Sequence, residues 1–314
     1  MEFGLLFPGQ GAQEVGMGQE FAAASPAAQA LFNEADEVLG LPLSRLCFEG
    51  PLEDLTATDI AQPAIYTVSL AVLAALEEKA GAKIQPRMTA GLSLGEYTAM
   101  TAAGAFSFAD GLRLVRLRGS AMQAASEAKP SGMSSVMGIE RGVLDEVCAA
   151  VAASTGQICQ VANLNSPGQI VVSGEKGALE ALEGAAKEAG AKRVIALQVA
   201  GAFHSEVMRP AAEKLEAALQ ETAFSTPQCP VWQNATAAPA TDPTELKANL
   251  IAQLCAPVLW QASFAAMAGE SEGLQFLEPA PGRVLSTMAR KIAPGSQVTS
   301  LKDLASLEAL LQTQ

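Results

Sequence analysis

Short apolar runs punctuated by glycine and proline alternate along this chain with longer, alanine-rich stretches that read as helix, the rhythm of an α/β protein. Residues Glu2 to Phe7 read as a strand that runs into the loop Pro8-Gly9-Gln10-Gly11-Ala12-Gln13 and then a helix around Met17 to Ala23. Helices are predicted over Ala27 to Leu39, Pro63 to Ala80 and Phe108 to Ala125, with a strand, Pro86 to Leu92, and a helix, Glu96 to Ala103, between the last two. Such alternation implies a mainly parallel sheet covered on both faces. The rhythm then changes: strand Ser134 to Gly138, helix Val143 to Ala153, strands Cys159 to Asn163 and Gln169 to Ser173, helix Ala178 to Ala189 and strand Arg193 to Val199. That is the order of a ferredoxin-like α+β module. After His204 the pattern returns to helix Glu206 to Glu221, extended Val231 to Gln233, helices Thr244 to Leu254 and Trp260 to Ala268, strand Leu274 to Leu277, helix Val284 to Ile292, strand Gln297 to Leu301 and a final helix. The predicted fold is α/β, with a large lobe from residues 1–128 and 200–314 and a small ferredoxin-like lobe, 129–199, inserted into it.

A length of 314 residues exceeds what a single core usually serves, in keeping with two lobes. A net charge of −13 argues against nucleic-acid binding, which depends on Lys and Arg neutralising phosphates. The five cysteines lie far apart without a Cys-x-x-Cys pair, so neither a metal site nor a disulfide framework is expected, and a reducing compartment fits best. The apolar run Ala64 to Leu76 is shorter than the ~20 residues that span a bilayer and reads as a buried helix rather than a membrane segment. A strand that begins at Glu2 leaves no room for a targeting segment, which is expected to have been removed or never present.

Candidate chemistry centres on Gly91-Leu92-Ser93-Leu94-Gly95-Glu96, a Gly-x-Ser-x-Gly sequence between a predicted strand and a predicted helix. In that setting a serine is lifted clear of the sheet as a nucleophile; the alternative is a serine that merely caps the helix. A serine hydroxyl attacks carbonyls poorly until a base takes its proton, and His204 is the chain's one histidine. On helix Phe108 to Ala125, Arg118 shares its face with Gly111, Leu114, Val115, Ala121, Met122 and Ala125, whereas Arg116 lies beside Arg113, Ser120 and Gln123. Arg118 is therefore expected to be buried. A guanidinium stays charged when desolvated, so it needs an anion: an internal Asp or Glu, or the carboxylate of a substrate such as a dicarboxylic thioester.

Together these segments, with Phe7-Pro8-Gly9-Gln10-Gly11, Arg116-Leu117-Arg118-Gly119, Asn163-Leu164-Asn165-Ser166-Pro167-Gly168, Gly201-Ala202-Phe203-His204-Ser205 and Ala252-Gln253-Leu254, closely resemble malonyl-coenzyme A:acyl carrier protein transacylases over nearly the full length. The resemblance implies a hydrolase-like large lobe and transfer of malonyl from malonyl-CoA to the phosphopantetheine thiol of acyl carrier protein through a malonyl-serine. It assigns Ser93 as nucleophile, His204 as base, Arg118 as carboxylate clamp, the Gln10 and Leu94 amides as oxyanion hole and the Gln253 carbonyl as the group orienting His204. Phe203 is expected to exclude a methyl-branched substrate. Neither a metal nor a redox cofactor is implied, the expected form is a monomer, and the rival reading is a serine thioesterase or esterase. Leu92 stands where many bacterial relatives have histidine and resembles the plastid branch, which implies the chloroplast stroma, with the bacterial cytoplasm as the alternative. Acidic carrier protein would need a local basic patch, for which Arg290 with Lys291, or Lys187 with Lys192 and Arg193, are candidates.

Overall fold

The computed structural model describes residues 2–271 and 273–313. Strand β1 (Glu2–Phe7) is buried from its second residue on and lies within a six-stranded sheet. Across that sheet run β10 (Gln297–Ser300), β9 (Gln275–Glu278), β1, β2 (Gln85–Gly91), β7 (Val231–Trp232) and β8 (Pro239–Ala240). Every neighbouring pair is parallel except β7 with β8. The register of β1 with β2 matters most: Phe7 lies opposite Gly91, and Leu92 N–H donates to Phe7 C=O at 2.9 Å. The loop after β1 and the turn after β2 therefore emerge side by side at the carboxyl edge of the sheet, where open α/β sheets bind ligands.

A second sheet holds β3 (Ser131–Met137), β4 (Cys159–Ser166), β5 (Gln169–Glu175) and β6 (Arg193–Ala196) in the order β4-β5-β3-β6, every pair antiparallel. Helices Arg141–Thr155 and Lys176–Glu188 bridge β3 to β4 and β5 to β6. Their Leu144, Val151, Leu182 and Ala186 pack on Val136, Val161 and Val172 in a core of their own. This is the ferredoxin-like order predicted from the sequence, and β6 ends at Ala196 rather than Val199. Val258 joins the small sheet to the large lobe: it donates to Ala162 C=O at 2.8 Å and accepts from Leu164 N–H at 2.9 Å, while it shares a buried cluster with Leu6 and Ala90 of the six-stranded sheet.

The elements bordering the site depart from expectation at two places. Helix Thr58–Ala80 starts five residues before Pro63, which removes an N–H that would have bonded the Asp59 carbonyl. Arg116 from helix Phe108–Ala128 supplies a replacement donor, its Nη1 reaching both that carbonyl and the Asp59 carboxylate, the latter at 2.7 Å. The extra turn carries Gln62 into the interior, 0% exposed. By length and composition this helix matches a membrane span, and most of its apolar window is buried within the fold. Helices Leu43–Glu49 and Leu52–Thr56 were not legible in the pattern, being too short for a period to register. Glu278, at the end of β9, accepts the Leu285 and Ser286 amides at 2.7 and 3.1 Å and so caps helix Val284–Ile292.

Candidate active site

The turn after β2 is tight because two glycines permit it. A Cβ on Gly91 would lie 1.8 Å from the Gly95 carbonyl carbon, and one on Gly95 would lie 2.0 Å from Phe7 O. Between them Ser93 has φ 52, a left-handed conformation that costs a serine of order 1–3 kcal/mol. Asn234 holds the strained turn from behind: its Oδ1 accepts Ser93 N–H at 2.6 Å and its Nδ2 donates to Gly91 C=O at 2.7 Å. The Ser93 hydroxyl caps no amide, since the residue capping helix Gly95–Ala102 is Leu94 and the helix has no side-chain cap. It points instead at His204 and Arg118.

His204 also sits at positive φ, 57. The small sheet steadies its loop, Ser173 of β5 donating to Phe203 C=O and Gln160 of β4 to His204 C=O at 3.5 Å. The imidazole is 4% exposed, with Nε2 2.8 Å from Ser93 Oγ and Nδ1 2.9 Å from Gln253 C=O. A carbonyl only accepts, so Nδ1 carries the proton and Nε2 presents its lone pair to the serine hydroxyl. Burial first, and then the charge of Arg118, push the imidazole down to about 4, while the Gln253 carbonyl pulls the other way.

Arg118 is 1% exposed. Its Nη1 donates to Gln62 Oε1 at 2.8 Å, and its Nη2 to Ser93 Oγ at 2.9 Å and Gln253 Oε1 at 3.0 Å. The Tyr97 ring lies 5.6 Å from Cζ, and Nε has no acceptor among the described residues. Every acceptor it has there is neutral. The internal ion pair that would have explained a buried arginine is absent from the described residues, and the cation faces a cavity of about 230 Å³ with hydrogen-bonding capacity unused. Burial lowers its affinity for a proton, yet a guanidinium keeps its charge.

Gln10, Leu94, Phe203, Ser93, His204 and Arg118 all line that cavity. The Gln10 and Leu94 amides find no protein acceptor among the described residues, so both are available to an oxygen placed near Ser93. Of the predicted set, only Gln253 is not a lining residue; it reaches the site through its carbonyl and, unanticipated, through its side chain. Gln62, Asn234 and Glu96 also escaped the sequence reading. Gln62 and Asn234 are buried polar residues in segments the pattern leaves unmarked, and although Glu96 closes the Gly-x-Ser-x-Gly segment, no spacing rule marks a side chain that meets its partners only through the fold. Among the described residues no group of His, Cys, Asp and Glu is arranged to hold a metal.

The acyl transferase domain family matches residues 5–305. The chain is 44% identical over 308 residues to the malonyl CoA-acyl carrier protein transacylase of Bacillus subtilis (strain 168), which covers 98% of this chain and 96% of that one. To the Escherichia coli (strain K12) protein of the same name it is 37% identical over 312 residues, 99% of each. Among solved structures, the acyl carrier protein S-malonyltransferase of Vibrio cholerae superimposes with a TM-score of 0.92 at 38% identity, over 99% of this chain and 100% of that one. A type II PKS acyl-carrier protein in complex with its malonyl-transacylase gives 0.92 at 39% identity, over 100% of both chains.

Proposed function

With the chain a member of the malonyl CoA-acyl carrier protein transacylase family, we propose that Ser93 carries malonyl between the two thiols, with His204 as its base and Arg118 as the clamp on the free carboxylate. The protein is an acyltransferase that moves malonyl from malonyl-CoA to acyl carrier protein. The observation that carries the site assignment is the placement of one serine oxygen within hydrogen-bond distance of both the lone histidine and a buried, anion-free arginine.

In the first half-reaction Ser93 Oγ attacks the thioester carbonyl as His204 Nε2 takes the hydroxyl proton. The carbonyl oxygen, now anionic, is received by the Gln10 and Leu94 amides, donors each worth roughly 3 to 4 kcal/mol in such transition states. Collapse breaks the C–S bond, the imidazolium returns its proton to the departing CoA sulfur, and malonyl remains as an ester on Ser93. The pantetheine thiol of the carrier protein then gives its proton to His204, attacks the ester and leaves with malonyl, while Ser93 regains its hydrogen. Gln253 C=O holds the imidazole in the tautomer that both halves require, a task for which no carboxylate is needed. Phe203 at the cavity wall opposes a methyl branch beside the carbonyl.

Residues 129–199 serve in this reading as a small lobe closing one side of the cavity, and a monomer is the working unit. For the acidic carrier protein, Lys192, Arg193, Arg290 and Lys291 offer exposed charge without an ion pair among the described residues, whereas Lys187 is engaged with Glu183 at 2.6 Å. The relatives compared are bacterial, which supports the bacterial cytoplasm over the chloroplast stroma that Leu92 suggests. The test is intact mass after incubation with malonyl-CoA. One malonyl unit should appear on the wild type, be absent from Ser93→Ala, and pass to carrier protein when that is added; release to water at the same rate without carrier would make the protein a hydrolase.

A further inference from the structure

We propose that Glu96, a carboxyl group buried behind the turn and outside the cavity lining, positions the base and the clamp together by fixing the amide of Gln253. Gln253 is bonded to each of Ser93, His204 and Arg118. Its main-chain oxygen accepts His204 Nδ1–H at 2.9 Å, its Oε1 accepts Arg118 Nη2–H at 3.0 Å, and its Nε2 donates to Ser93 C=O and Glu96 Oε2, both at 3.0 Å. The two ends of an amide have nearly the same shape, so its partners decide which end points where. Turned over, the amide would set its NH₂ against the guanidinium and its oxygen against two acceptors. Glu96 opposes that turn because its Oε2 is an acceptor whether the carboxyl is ionised or protonated at Oε1, which has no partner of its own.

The same Glu96 oxygen accepts Asn234 N–H at 2.8 Å, and Asn234 in turn holds Ser93 N–H and Gly91 C=O. One carboxyl thus joins the clamp on the turn to the bridge between His204 and Arg118. Capping its own helix does not explain it: Glu96 lies in the first turn of Gly95–Ala102, yet both N–H groups it accepts come from more than a hundred residues away in the chain. Nor is it a cheap residue to keep. It is 0% exposed, its Oε1 has no partner, and it forms no ion pair among the described residues, a state that ordinarily destabilises a fold. Burial pushes its carboxyl up to about 7, against the pull of Gln253, Asn234 and Arg118.

This inference rests on the roles proposed above for His204 and Arg118, and the experiment separates the two. Single-turnover loading of Ser93 from malonyl-CoA and from acetyl-CoA, read by intact mass after rapid quench, is compared for wild type, Glu96→Ala, Glu96→Gln, Gln253→Leu and the double variant Glu96→Ala with Gln253→Leu. Leaving the buried Gln253 and Asn234 N–H groups without their acceptor predicts about a ten- to hundredfold fall in malonyl loading by Glu96→Ala, with a smaller fall for acetyl, so that the preference shrinks. Glu96→Gln keeps an acceptor oxygen for both N–H groups and should stay within about threefold of wild type. The losses of Glu96→Ala and Gln253→Leu should not add in the double variant. An unchanged malonyl-to-acetyl ratio in Glu96→Ala, Glu96→Gln as poor as alanine, or additive losses would each overturn the proposal. Should Glu96→Ala not fold, Gln253→Leu decides, because a wild-type ratio there removes the bridge. A wild type without malonyl preference would instead refute the clamp itself.

Discussion

Replacing Arg118 by alanine tests the chemistry most directly, because the residue is buried, charged and bonded only to neutral acceptors among the described residues. A malonyl carboxylate bound there would lose its cation on a floor of uncharged amides. Truncating one partner of a buried charge pair costs about 2 to 5 kcal/mol. Ser93 is half-buried, so the cavity reaches solvent and some water will replace the guanidinium; about 3 kcal/mol is the expected loss, or about a hundredfold in the malonyl loading rate at roughly 1.4 kcal/mol per tenfold. Acetyl has no carboxylate to lose a partner, and its loading should change by less than about threefold. The assay is rapid-quench intact mass with each thioester at subsaturating concentration, and folding is checked by thermal melting. Arg118→Lys should recover only part of the loss, since an ammonium lacks the planar fork. If wild type loads acetyl and malonyl equally, or if Arg118→Ala keeps the wild-type ratio, the arginine is not a carboxylate clamp and the argument from its missing counter-ion fails.

Further outcomes follow from the same geometry. The His204 imidazole is held down near 4, so it remains a neutral base as the pH falls through 6.5, and loading after a rapid acid jump should persist until the pH approaches about 4; an acid limb near 6.5 would contradict the burial argument. Gly95→Ala should abolish loading and lower the melting temperature sharply, because the new methyl would sit 2.0 Å from Phe7 O, a backbone atom that cannot move aside; a near-normal variant would show that the turn does not require glycine there. Arg116→Met should destabilise by about 1 to 2 kcal/mol, less than a fully buried charged bond because Arg116 and Asp59 are each about 30% exposed, measured by denaturant melts. It should also weaken malonyl preference, since the turn before Pro63 carries Gln62 to Arg118.

The sequence revealed the groups whose chemistry is conspicuous and hid those that work by position. Gly91 and Gly95 announced a turn, a single histidine left no competition, and Arg118 stood out as a charge on an apolar helical face. The ferredoxin-like order was legible for a similar reason, since each of its strands and helices is long enough to show a period. By contrast Gln62 comes from one helix, Asn234 from a turn and the Gln253 side chain from the end of another helix, and their meeting depends on contacts that no local pattern encodes. Pro63 even pointed the wrong way. A proline should end or begin a helix, yet here the guanidinium of Arg116, supplied from another helix, takes the Asp59 carbonyl that Pro63 leaves without a donor.

What was hidden and what was visible are linked by one electrostatic requirement. A clamp that must receive a carboxylate, release it and receive another cannot carry a resident counter-ion, because an internal Asp or Glu would compete with every substrate. It must still be held rigidly enough to aim. Neutral amide oxygens from Gln62 and Gln253 meet both conditions, fixing the guanidinium by hydrogen bonds while leaving its net charge in place. Glu96, whose carboxyl burial pushes up to about 7, forms no ion pair with the arginine and acts through the amide of Gln253 rather than as a partner. An arginine that looks misplaced in a helical pattern and a set of amides that look like nothing are therefore two sides of the same design: the first needs a ligand's charge, and the second ensure that nothing else provides it.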